Sequence, residues 1–438
     1  MSRKHLLNVC RILVSVGLIV FVCYKIRLND TLVKKDGTEL AGRLLEKGPE
    51  RFVVETVGGE TATLNRSELL HDAEGRLIGV HRGVVTVLRD LHLAWFIPTF
   101  LFVGLIPVLG ALRFHMLLGV QDVKVKLRDA LGLTFLGNFF NNFMLGLTGG
   151  DVVKAYYVAR QTEKRTEAVV TVFLDRMVGL IAMAVLAAAM VTVNLGDPKF
   201  RRAAMYVWVF LLMACFMGLM LYSRRLRRKV EYTMLVVLGA GGTLILASRV
   251  WTRGWEAVWR EVLLFVVVVG LLALFTLTSS LRRLVRLDEL RRALARSKLV
   301  REMDETFHVF SQSPGKTIIA FVISLVCHSV AATATYGFAR ALGIHTPYRY
   351  FLVFVPVILM IAAIPVSVAG WGVQEAVFQM FFGTVGVAAT EAITLSFVFR
   401  LCSVVLWSLP GGVVFMLKKE RPSVRQAARA VSEEEVAP

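Results

Sequence analysis

One segment of the sequence combines amide, acidic and basic side chains with paired glycines in otherwise apolar surroundings. Its polar, aromatic and glycine residues of interest are Asn138, Asn141, Asn142, Gly149, Gly150, Asp151, Lys154 and Tyr156. Ionisable groups within a bilayer are costly and by default indicate a functional site. The glycines permit a tight turn and the close approach of a ligand, and a helix that begins there presents free N–H groups suited to a phosphate. The alternative is that these groups only satisfy the backbone of a broken helix.

Further charges interrupt apolar runs elsewhere in the chain. They are Arg113, Asp175, Arg176, Glu375 and Arg400, and Glu375 follows the sequence Gly370-Trp371-Gly372. One interpretation is direct contact with a substrate. The other is mutual neutralisation, in which Glu375 pairs with Arg400 and either Asp151 or Asp175 pairs with an arginine. The two interpretations do not exclude each other.

Motifs for catalysis or metal binding are absent from the sequence. His115 and His328 lie in apolar runs, and neither has a second ligand three or four residues away, so the sequence predicts no metal site. It contains no HExxH, no Gly-x-Ser-x-Gly and no phosphate-binding loop. We therefore expect no catalytic residue and no cofactor, and we do not expect an enzyme.

The elements that position these residues are predicted to be membrane-spanning helices. Of the 438 residues, 56% are hydrophobic and 19% are charged. The apolar residues form runs long enough to cross a bilayer core of about 30 Å, near residues 6–24, 92–119, 167–193, 201–222, 230–248, 261–281, 316–341 and 389–417. Two further runs, near 129–148 and 350–372, contain Gly, Asn or Pro and are predicted to be re-entrant. The sequence thus predicts an all-α polytopic membrane protein with about eight transmembrane helices and two re-entrant segments.

The distribution of charge predicts the orientation of these helices. The formal net charge of +19 would suit nucleic acid, but the basic clusters lie at the ends of predicted helices, as the positive-inside rule requires. We therefore expect a bacterial-type inner-membrane protein with both termini in the cytoplasm, attracted to anionic lipid headgroups and not to nucleic acid. Basic residues flank the run at 129–148 on both sides, with Lys126 before it and Lys154 after it, so we expect this run to enter from the cytoplasm. The run at 350–372 would then enter from the opposite face, a layout typical of alternating-access transporters.

Residues 27–90 differ in kind from the apolar runs. Asp36-Gly37 and Gly58-Gly59 are hairpin-turn signals between β-rich sequences. They predict a small extracytoplasmic β-domain of about four strands, SH3-like, inserted after the first helix as a spacer or as a docking module for a protein partner. The whole predicted organisation is an anchor at 1–26, the β-domain at 27–90, two halves of a membrane domain at 91–222 and 316–420, an added hairpin with a basic amphipathic helix at 223–315, and a disordered cytoplasmic tail at 421–438.

Three motifs follow one another along the predicted membrane domain. They are Arg113 followed by Gly149-Gly150-Asp151-Val-Val-Lys154-Ala-Tyr156; Leu174-Asp175-Arg176-Met-Val-Gly179-Leu180; and Ile364-Pro365-Val-Ser-Val-Ala-Gly370-Trp-Gly372-Val-Gln-Glu375-Ala376 followed by Arg400 and Gly411-Gly412. In their order and spacing they resemble the transmembrane flippase region of lysylphosphatidylglycerol synthases, which also occurs alone as flippase-like membrane proteins. The resemblance covers roughly 92–222 and 316–418.

The chain departs from the pattern of that family in several places. A proline that usually precedes the paired glycines is absent, and the usual arginines after the acid and before the glutamate are Lys154 and Gln374 here. A lysine keeps the charge but lacks the bidentate fork of arginine, which predicts a different headgroup selectivity. The soluble aminoacyl-transferring domain of the two-part synthases is absent, so the resemblance does not imply lipid aminoacylation.

The resemblance implies the translocation of a lipid or of a polyprenyl-linked amphiphile with a phosphate-bearing headgroup. The headgroup would cross through a polar cavity between the two re-entrant segments. Cations would attract the phosphate, amides would supply hydrogen bonds, and acids would balance charge or gate. The expected substrate-binding residues are Arg113, Asn138, Asn141, Asn142, Gly149, Gly150, Asp151, Lys154, Tyr156, Asp175, Arg176, Pro365, Gly370, Gly372, Glu375 and Arg400. The alternatives are a membrane-embedded transferase with Asp151 or Glu375 as base, and a non-transporting scaffold that binds a partner through the β-domain.

Overall fold

The computed structural model describes most of the chain outside the predicted central insertion. The described residues are 27–47, 50–56, 60–70, 80–143, 149–194, 197–200 and 313–417, without residues 28, 364–366, 368 and 369, together with the isolated positions 17, 20, 24, 204 and 207. All of them belong to one compact unit. Apart from those isolated positions, the predicted spans near 6–24, 201–222, 230–248 and 261–281, the basic helix at 282–312 and the tail at 421–438 lie outside the described residues.

An antiparallel sheet of five strands precedes the helices in the chain. The strands are β1 (Asp30–Val33), β2 (Glu39–Lys47), β3 (Arg51–Thr56), β4 (Thr61–Asn65) and β5 (Val80–His81). Their order in the sheet is β4-β3-β2-β1-β5. β2 pairs with β1 through its first residues and with β3 through its last ones, with a bulge between Leu44 and Glu46. The sheet lies where the sequence indicates strands, and its SH3-like character remains a prediction.

The sheet owes its stability to a small apolar core and a tight first turn. Apolar side chains on alternate strand positions share one face and bury a cluster of Leu32, Phe52, Val54, Leu64 and Leu69. Between β1 and β2 the Asp-Gly turn places Gly37 at φ +85°, a conformation that glycine adopts without steric cost. Asp36 Oδ1 accepts a hydrogen bond from Thr38 N at 2.8 Å, and this backbone N–H lowers the pKa of the Asp36 carboxyl.

A buried aspartate fixes the sheet to the helix that follows it. Asp30 accepts hydrogen bonds from Leu44 N at 2.8 Å, Gly83 N at 2.7 Å and Thr86 Oγ1 at 2.8 Å. Thr86 lies in the short helix α1 (Val84–Arg89). Because the donors come from β2, from α1 and from the segment between the sheet and α1, one carboxylate holds the three together.

Ten further α-helices follow in the described chain. They are α2 (Leu93–Val103), α3 (Leu105–Val120), α4 (Leu127–Phe143), α5 (Gly149–Ala159), α6 (Arg165–Val193), α7 (Pro314–Ala341), α8 (Tyr348–Ala362), α9 (Val373–Gly383), α10 (Ala389–Arg400) and α11 (Leu409–Leu417). Gly104 separates α2 from α3, where a Cβ would overlap the ring of Trp407. A π-helix at Leu401–Val405 and a 3-10 turn at Leu406–Ser408 join α10 to α11.

Four segments of the described chain are long and apolar enough to cross a membrane. They are Leu93–Val120, Arg165–Val191, Pro314–Ala341 and Ala389–Leu417. Each coincides with a predicted apolar run, namely those near 92–119, 167–193, 316–341 and 389–417. Many apolar side chains on these segments are exposed, such as Ile97, Leu101, Ile318 and Val413, as expected of helices that face lipid.

Two helical hairpins separate these spans. The first hairpin is α4 with α5, of 17 and 11 residues, and the second is α8 with α9, of 15 and 11 residues. A helix needs about 20 residues to cross the hydrocarbon core, so each hairpin helix is too short to span it alone. The hairpins include the segments predicted at 129–148 and 350–372, but they extend further along the chain, to Ala159 and Gly383.

The described spans and hairpins occur in two segments of matching design. Each segment is a span, a hairpin and a second span. The first spans are Leu93–Val120 and Pro314–Ala341, of 28 residues each, and the second helices of the hairpins have 11 residues each. The second spans, α6 and Ala389–Leu417, have 29 residues each. The connectors are matched as well, since residues 121–126 correspond in length to 342–347, and 160–164 to 384–388.

The two hairpins begin and end at opposite ends of the helical bundle. Lys164 Nζ donates to Gln121 O at 3.2 Å, which joins the two connectors of the first hairpin. At the second hairpin, Arg82 Nη1 donates to Leu342 O at 3.4 Å and lies 4.0 Å from Glu391 Oε1. The start of α2 is beside Leu342, because His92 N donates to Ala341 O at 2.8 Å. Gln121 follows the far end of that 28-residue span, so it is about 40 Å away along the helix axis.

Candidate functional site

The helices of the first hairpin cross at glycine. A Cβ on Gly150 would overlap Gly137 O and contact Asn141, so only glycine permits this approach of α4 and α5. Asn141 Oδ1 accepts a hydrogen bond from Gly150 N at 3.0 Å, next to Gly149 at the start of α5. One of the free N–H groups at this helix start is therefore satisfied by an amide of the same hairpin.

An acid on this hairpin pairs with an arginine of the next span. Asp151 is the third residue of α5 and Arg176 is the twelfth of α6, and Arg176 Nη1 donates to Asp151 Oδ2. The side chains are 27% and 33% exposed. This pair ties the hairpin to α6 while remaining partly accessible.

Three charged side chains form a buried cluster beside that pair, which we call the charged cluster: Arg113 on α3, Lys154 on α5 and Asp175 on α6. Asp175 Oδ1 accepts from Arg113 Nε at 2.7 Å, and its Oδ2 accepts from Lys154 Nζ at 3.2 Å. The side chains are 13%, 7% and 11% exposed, respectively. Two cations share one carboxylate, so the charged cluster has a formal charge of +1.

The charged cluster also has neutral neighbours on α3, α6 and α7. Arg113 Nη1 donates to Ser324 Oγ on α7 at 2.9 Å, and Lys154 Nζ lies 3.5 Å from the ring centroid of Phe114. A Cβ on Gly179 would lie 3.2 Å from Arg113 Nη1, so this glycine leaves room at the guanidinium. Neither Ser324 nor Phe114 was expected at a site, because a single serine or phenylalanine in an apolar helix is usually a packing residue.

The buried position of Lys154 contradicts its predicted place in the cytoplasmic flank of the first re-entrant segment. The sequence placed it in the basic cytoplasmic flank of the first re-entrant segment, but it is 5% exposed and its stem packs along Gly137. Its partner Asp175 is 21 residues away in sequence. A rule that counts charges along the chain cannot distinguish a neutralised buried lysine from a solvated one. Arg160 and Lys164 remain at the base of the hairpin and are exposed.

The second hairpin has an acid–arginine pair of its own, as the sequence suggested. Arg400 Nε donates to Glu375 Oε1 at 3.1 Å, and the side chains are 6% and 5% exposed. Arg400 Nη2 also donates to Gly370 O at 3.0 Å and to Gln374 Oε1 at 2.9 Å. Because the guanidinium donates to three acceptors, Glu375, Gly370 O and Gln374, this buried pair is well satisfied.

The backbone around this pair depends on two glycines. Gly370 and Gly372 adopt φ of +73° and +81°, where L side chains are strained. Gly372 N donates to Glu375 Oε2 at 2.8 Å, so the glutamate also caps the start of α9. The ring of Trp371 lies 4.6 Å from the Arg400 guanidinium, a cation–π contact that the sequence did not predict.

An amide of the first hairpin reaches the last span. Asn142 Nδ2 donates to Val404 O at 2.8 Å, and Val404 lies in the π-helix that directly follows Arg400. A π-turn changes the hydrogen-bond pattern of the helix, and here the Val404 carbonyl accepts a hydrogen bond from outside its own helix. The tip of the first hairpin and the pair of the second hairpin therefore meet on the same helical segment.

The remaining predicted residues lie close to these groups or outside the described chain. Asn138 is half-buried on α4, one turn before Asn141 and Asn142. Tyr156 is buried on α5, 5.3 Å from the ring of Tyr157 in an edge-to-face contact, and the Arg160 guanidinium lies 5.1 Å from its ring. Pro365 lies outside the described residues. Within the described chain, no group of three His, Cys, Asp or Glu side chains could hold a metal ion.

The fold and these embedded charges define a polytopic membrane protein with ionisable groups in its helical interior. Comparison with known proteins gives its family. The sequence model of the lysylphosphatidylglycerol synthase TM region matches residues 80–232 and 226–411, which is more than half of the chain. The chain therefore belongs to the lysylphosphatidylglycerol synthase transmembrane-region family, as its motifs suggested.

A distant relative has been found among the curated proteins. A UPF0104 membrane protein of Pyrococcus horikoshii is 20% identical over 345 residues, which is 78% of this chain and 92% of that protein. No solved structure matches the chain. The comparisons agree with a multi-pass membrane protein and with a lipid-related role in the membrane.

Proposed function

We propose that this protein translocates a lipid or lipid-linked amphiphile with a phosphate-bearing headgroup across the cytoplasmic membrane. In this mechanism the headgroup passes between the two hairpins, which act as re-entrant segments, while the acyl or prenyl chains stay in the surrounding lipid. The sequence contains no nucleotide-binding motif, so we take the movement to be passive or coupled to an ion.

The observation that carries this proposal is the pair of short hairpins based at opposite ends of the bundle. Lys164 with Gln121 marks one base, and Arg82 with Leu342 marks the other. Paired discontinuous helices of opposite orientation are the layout in which transporters place a substrate near the middle of the membrane. Such irregular backbone is tolerated at membrane depth only inside protein or along a polar passage.

The polar groups near the hairpins support the same proposal. Asn141, Asn142 and the charged cluster place amides, cations and a carboxylate in helices that are otherwise apolar. Ionisable groups in such positions commonly mark a substrate pathway. Cations favour the phosphate of a headgroup, and the family match supports a lipid as its carrier.

A flipping assay with purified protein in liposomes tests the proposal. Phosphatidylglycerol with a fluorophore on one acyl chain is placed in both leaflets, and dithionite is added outside. With wild-type protein, we expect dithionite to bleach inner-leaflet lipid as well, because that lipid reaches the outer leaflet. In empty liposomes and in liposomes with Asp175→Asn, the inner-leaflet lipid should stay protected. The same low bleaching in wild-type and empty liposomes would overturn the proposal.

Mass spectrometry of the lipid recovered from these liposomes separates the proposal from its alternatives. Translocation predicts chemically unchanged lipid, whereas a transferase predicts a new mass that disappears in Asp151→Asn or Glu375→Gln. A scaffold predicts neither transport nor a new mass. In that case deletion of residues 30–70 would abolish the cellular function, while Asp151→Ala would leave it intact.

A further inference from the structure

The two matching segments allow positions in one half to be compared with positions in the other. Asp151 and Glu375 are both the third residue of an 11-residue hairpin helix. Arg176 and Arg400 are both the twelfth residue of the following span. Each acid is bonded to its arginine, and each pair is separated by 25 residues. The acid–arginine pair is therefore a common feature of both halves.

The charged cluster has no counterpart in the second half. The position of Lys154, sixth in its hairpin helix, corresponds to Phe378, and that of Asp175 corresponds to Phe399. The position of Arg113 in the first span corresponds to Ala334 in α7. These three counterparts are buried at 0%, 3% and 0% exposure, respectively. The same architecture is thus packed with apolar side chains where the first half has three charges, so the fold itself does not require the charges.

The charged cluster also has unused capacity to bind an anion. Arg113 has two bonded nitrogens, Nε to Asp175 and Nη1 to Ser324, and its Nη2 has no acceptor among the described residues. Lys154 Nζ has one bonded acceptor in the described chain, Asp175. A guanidinium offers five N–H donors and an ammonium three. An uncompensated charge in a low-dielectric interior is costly unless an anion pairs with it.

We infer that the charged cluster is an anion site of this protein, specific for a phosphodiester headgroup with a net charge of −1, whereas the two acid–arginine pairs are structural ties. A monoanion neutralises the formal charge of +1, whereas a phosphomonoester with up to two negative charges leaves an excess negative charge in the same place. The Arg113 guanidinium and the Lys154 ammonium donate to the phosphate oxygens, and Asp175, which accepts from both, holds the two cations in place. Gly179 keeps a side chain away from this guanidinium, because a Cβ there would lie 3.2 Å from Arg113 Nη1. This inference rests on the proposed function for the lipid nature of its ligand.

The test measures binding of short-chain lipids to the full chain in detergent, by the shift of its thermal unfolding temperature with lipid concentration. The probes are dihexanoyl phosphatidylglycerol, dihexanoyl phosphatidylcholine and dihexanoyl phosphatidate. We expect a saturable shift with phosphatidylglycerol, and affinities lower by about tenfold or more for the zwitterionic and monoester lipids. Equal affinity for all three would overturn the monoanion specificity.

Substitutions locate the site. Arg113→Gln and Lys154→Met should each lower the affinity for phosphatidylglycerol by about tenfold or more, whereas Lys126→Gln, an exposed lysine in a connector, should leave it within about twofold. Gly179→Ala keeps every charge and suits a helix, and its methyl group should weaken binding by narrowing the space at Arg113. If Gly179→Ala and Lys154→Met both bind as wild type, the site lies elsewhere. Size-exclusion profiles confirm that each variant remains folded.

Two further arms separate this inference from the proposed function. Glycerophosphoglycerol carries the same phosphodiester without acyl chains. If it binds with the same affinity as phosphatidylglycerol, the anion site stands but its ligand is not a lipid. In the flipping assay, loss of transport in Arg113→Gln and Lys154→Met is expected. Transport that persists in both variants would overturn the site and leave the proposed function standing. If wild type binds phosphatidylglycerol specifically but does not transport it, the anion site stands and the proposed function is overturned.

Discussion

Two ion pairs at equivalent positions lie in different surroundings. Glu375–Arg400 is buried and linked to Gly370 O and Gln374, whereas Asp151–Arg176 is about one-third exposed. Loss of one partner from a buried pair leaves an uncompensated charge, whereas a solvated partner regains water.

We expect Glu375→Gln to lower the free energy of unfolding by about 3–5 kcal/mol, and Asp151→Asn to lower it by about 1 kcal/mol or less. Thermal unfolding of the detergent-solubilised protein measures both. Arg400→Lys is the matched variant that keeps the charge, and it should remain unstable because a lysine cannot hold the same three acceptors in one plane. Equal losses of unfolding free energy in Glu375→Gln and Asp151→Asn would show that burial does not determine how much each pair contributes to stability.

Asp197, beyond the end of α6, makes the stability of the folded protein depend on pH, and the sign of this dependence follows from its contacts. Its Oδ1 accepts from Lys199 N at 3.0 Å, and its Oδ2 accepts from Tyr350 Oη at 3.0 Å. The Lys199 N–H, then the Tyr350 hydroxyl and the charge of Arg349, lower the pKa of the Asp197 carboxyl. Because the pKa is lower in the folded state, the stabilisation is complete above the unfolded pKa of about 3.9 and is lost as pH falls through the folded pKa.

We therefore expect Asp197→Asn to unfold at a lower temperature than wild type at neutral pH, and the difference to shrink as pH falls well below about 4. Unfolding temperatures of the two proteins across this range provide the measurement. Asp122→Asn, an acid that is 84% exposed, serves as the control and should differ little from wild type at any pH. A difference that grows on acidification would contradict the assignment.

At the scale of elements, small residues decide which helices touch. A Cβ at Gly150 would overlap Gly137 O, and one at Gly411 would overlap Phe135 O. The first contact closes the first hairpin, and the second packs α11 against α4. The family motifs that contain these glycines are therefore also packing motifs.

Gly150→Ala should disturb the first hairpin, with a loss of about 1–3 kcal/mol as expected for overpacking. Hydrogen exchange should rise in α4 and α5 and stay unchanged in α8 and α9. Gly119→Ala is the matched control, because a Cβ there meets nothing within 4 Å and alanine favours a helix. Unchanged exchange in Gly150→Ala would mean that the two backbones can separate without cost.

Hydropathy and turn chemistry predicted the described spans and the sheet, because both depend on local sequence. The ends of the hairpins were harder to place. The sequence ended the first re-entrant segment at residue 148, yet α5 continues to Ala159 with Lys154 buried at its centre. Local polarity suggests an exit from the membrane there, and only the partner Asp175, on another helix, reverses that conclusion.

The pairing of Glu375 with Arg400 was expected, because both are unusual in apolar helices. Their role as a counterpart of Asp151 and Arg176 was not apparent from hydropathy. It depends on counting from helix starts, and the start of α9 is defined by the positive φ of Gly372. The Ser324 and Trp371 contacts were not expected, since they depend on the packing of separate helices.

At the scale of the whole molecule, the opposed arrangement of the hairpins predicts that their bases lie on opposite sides of the membrane. In a variant without its native cysteines, Asp122→Cys marks the base of the first hairpin and His345→Cys that of the second, and both positions are exposed. We expect a membrane-impermeant maleimide added to intact cells to label His345→Cys and not Asp122→Cys, since the positive-inside rule places the Lys124–Arg128 region inside. Lysed cells should label both. Labelling of both positions in intact cells would refute the opposed arrangement.

The attachment of the sheet has a mechanical consequence. Arg82 connects the sheet side of the molecule to Leu342 and Glu391, and Arg27 N donates to Thr390 Oγ1 at 3.3 Å. All three acceptors flank the second hairpin, and the base of the first hairpin is at the other end of the bundle. Among the described residues, these contacts connect the sheet side of the molecule to the second hairpin. We therefore expect a ligand that binds the sheet to restrain the motion of that hairpin.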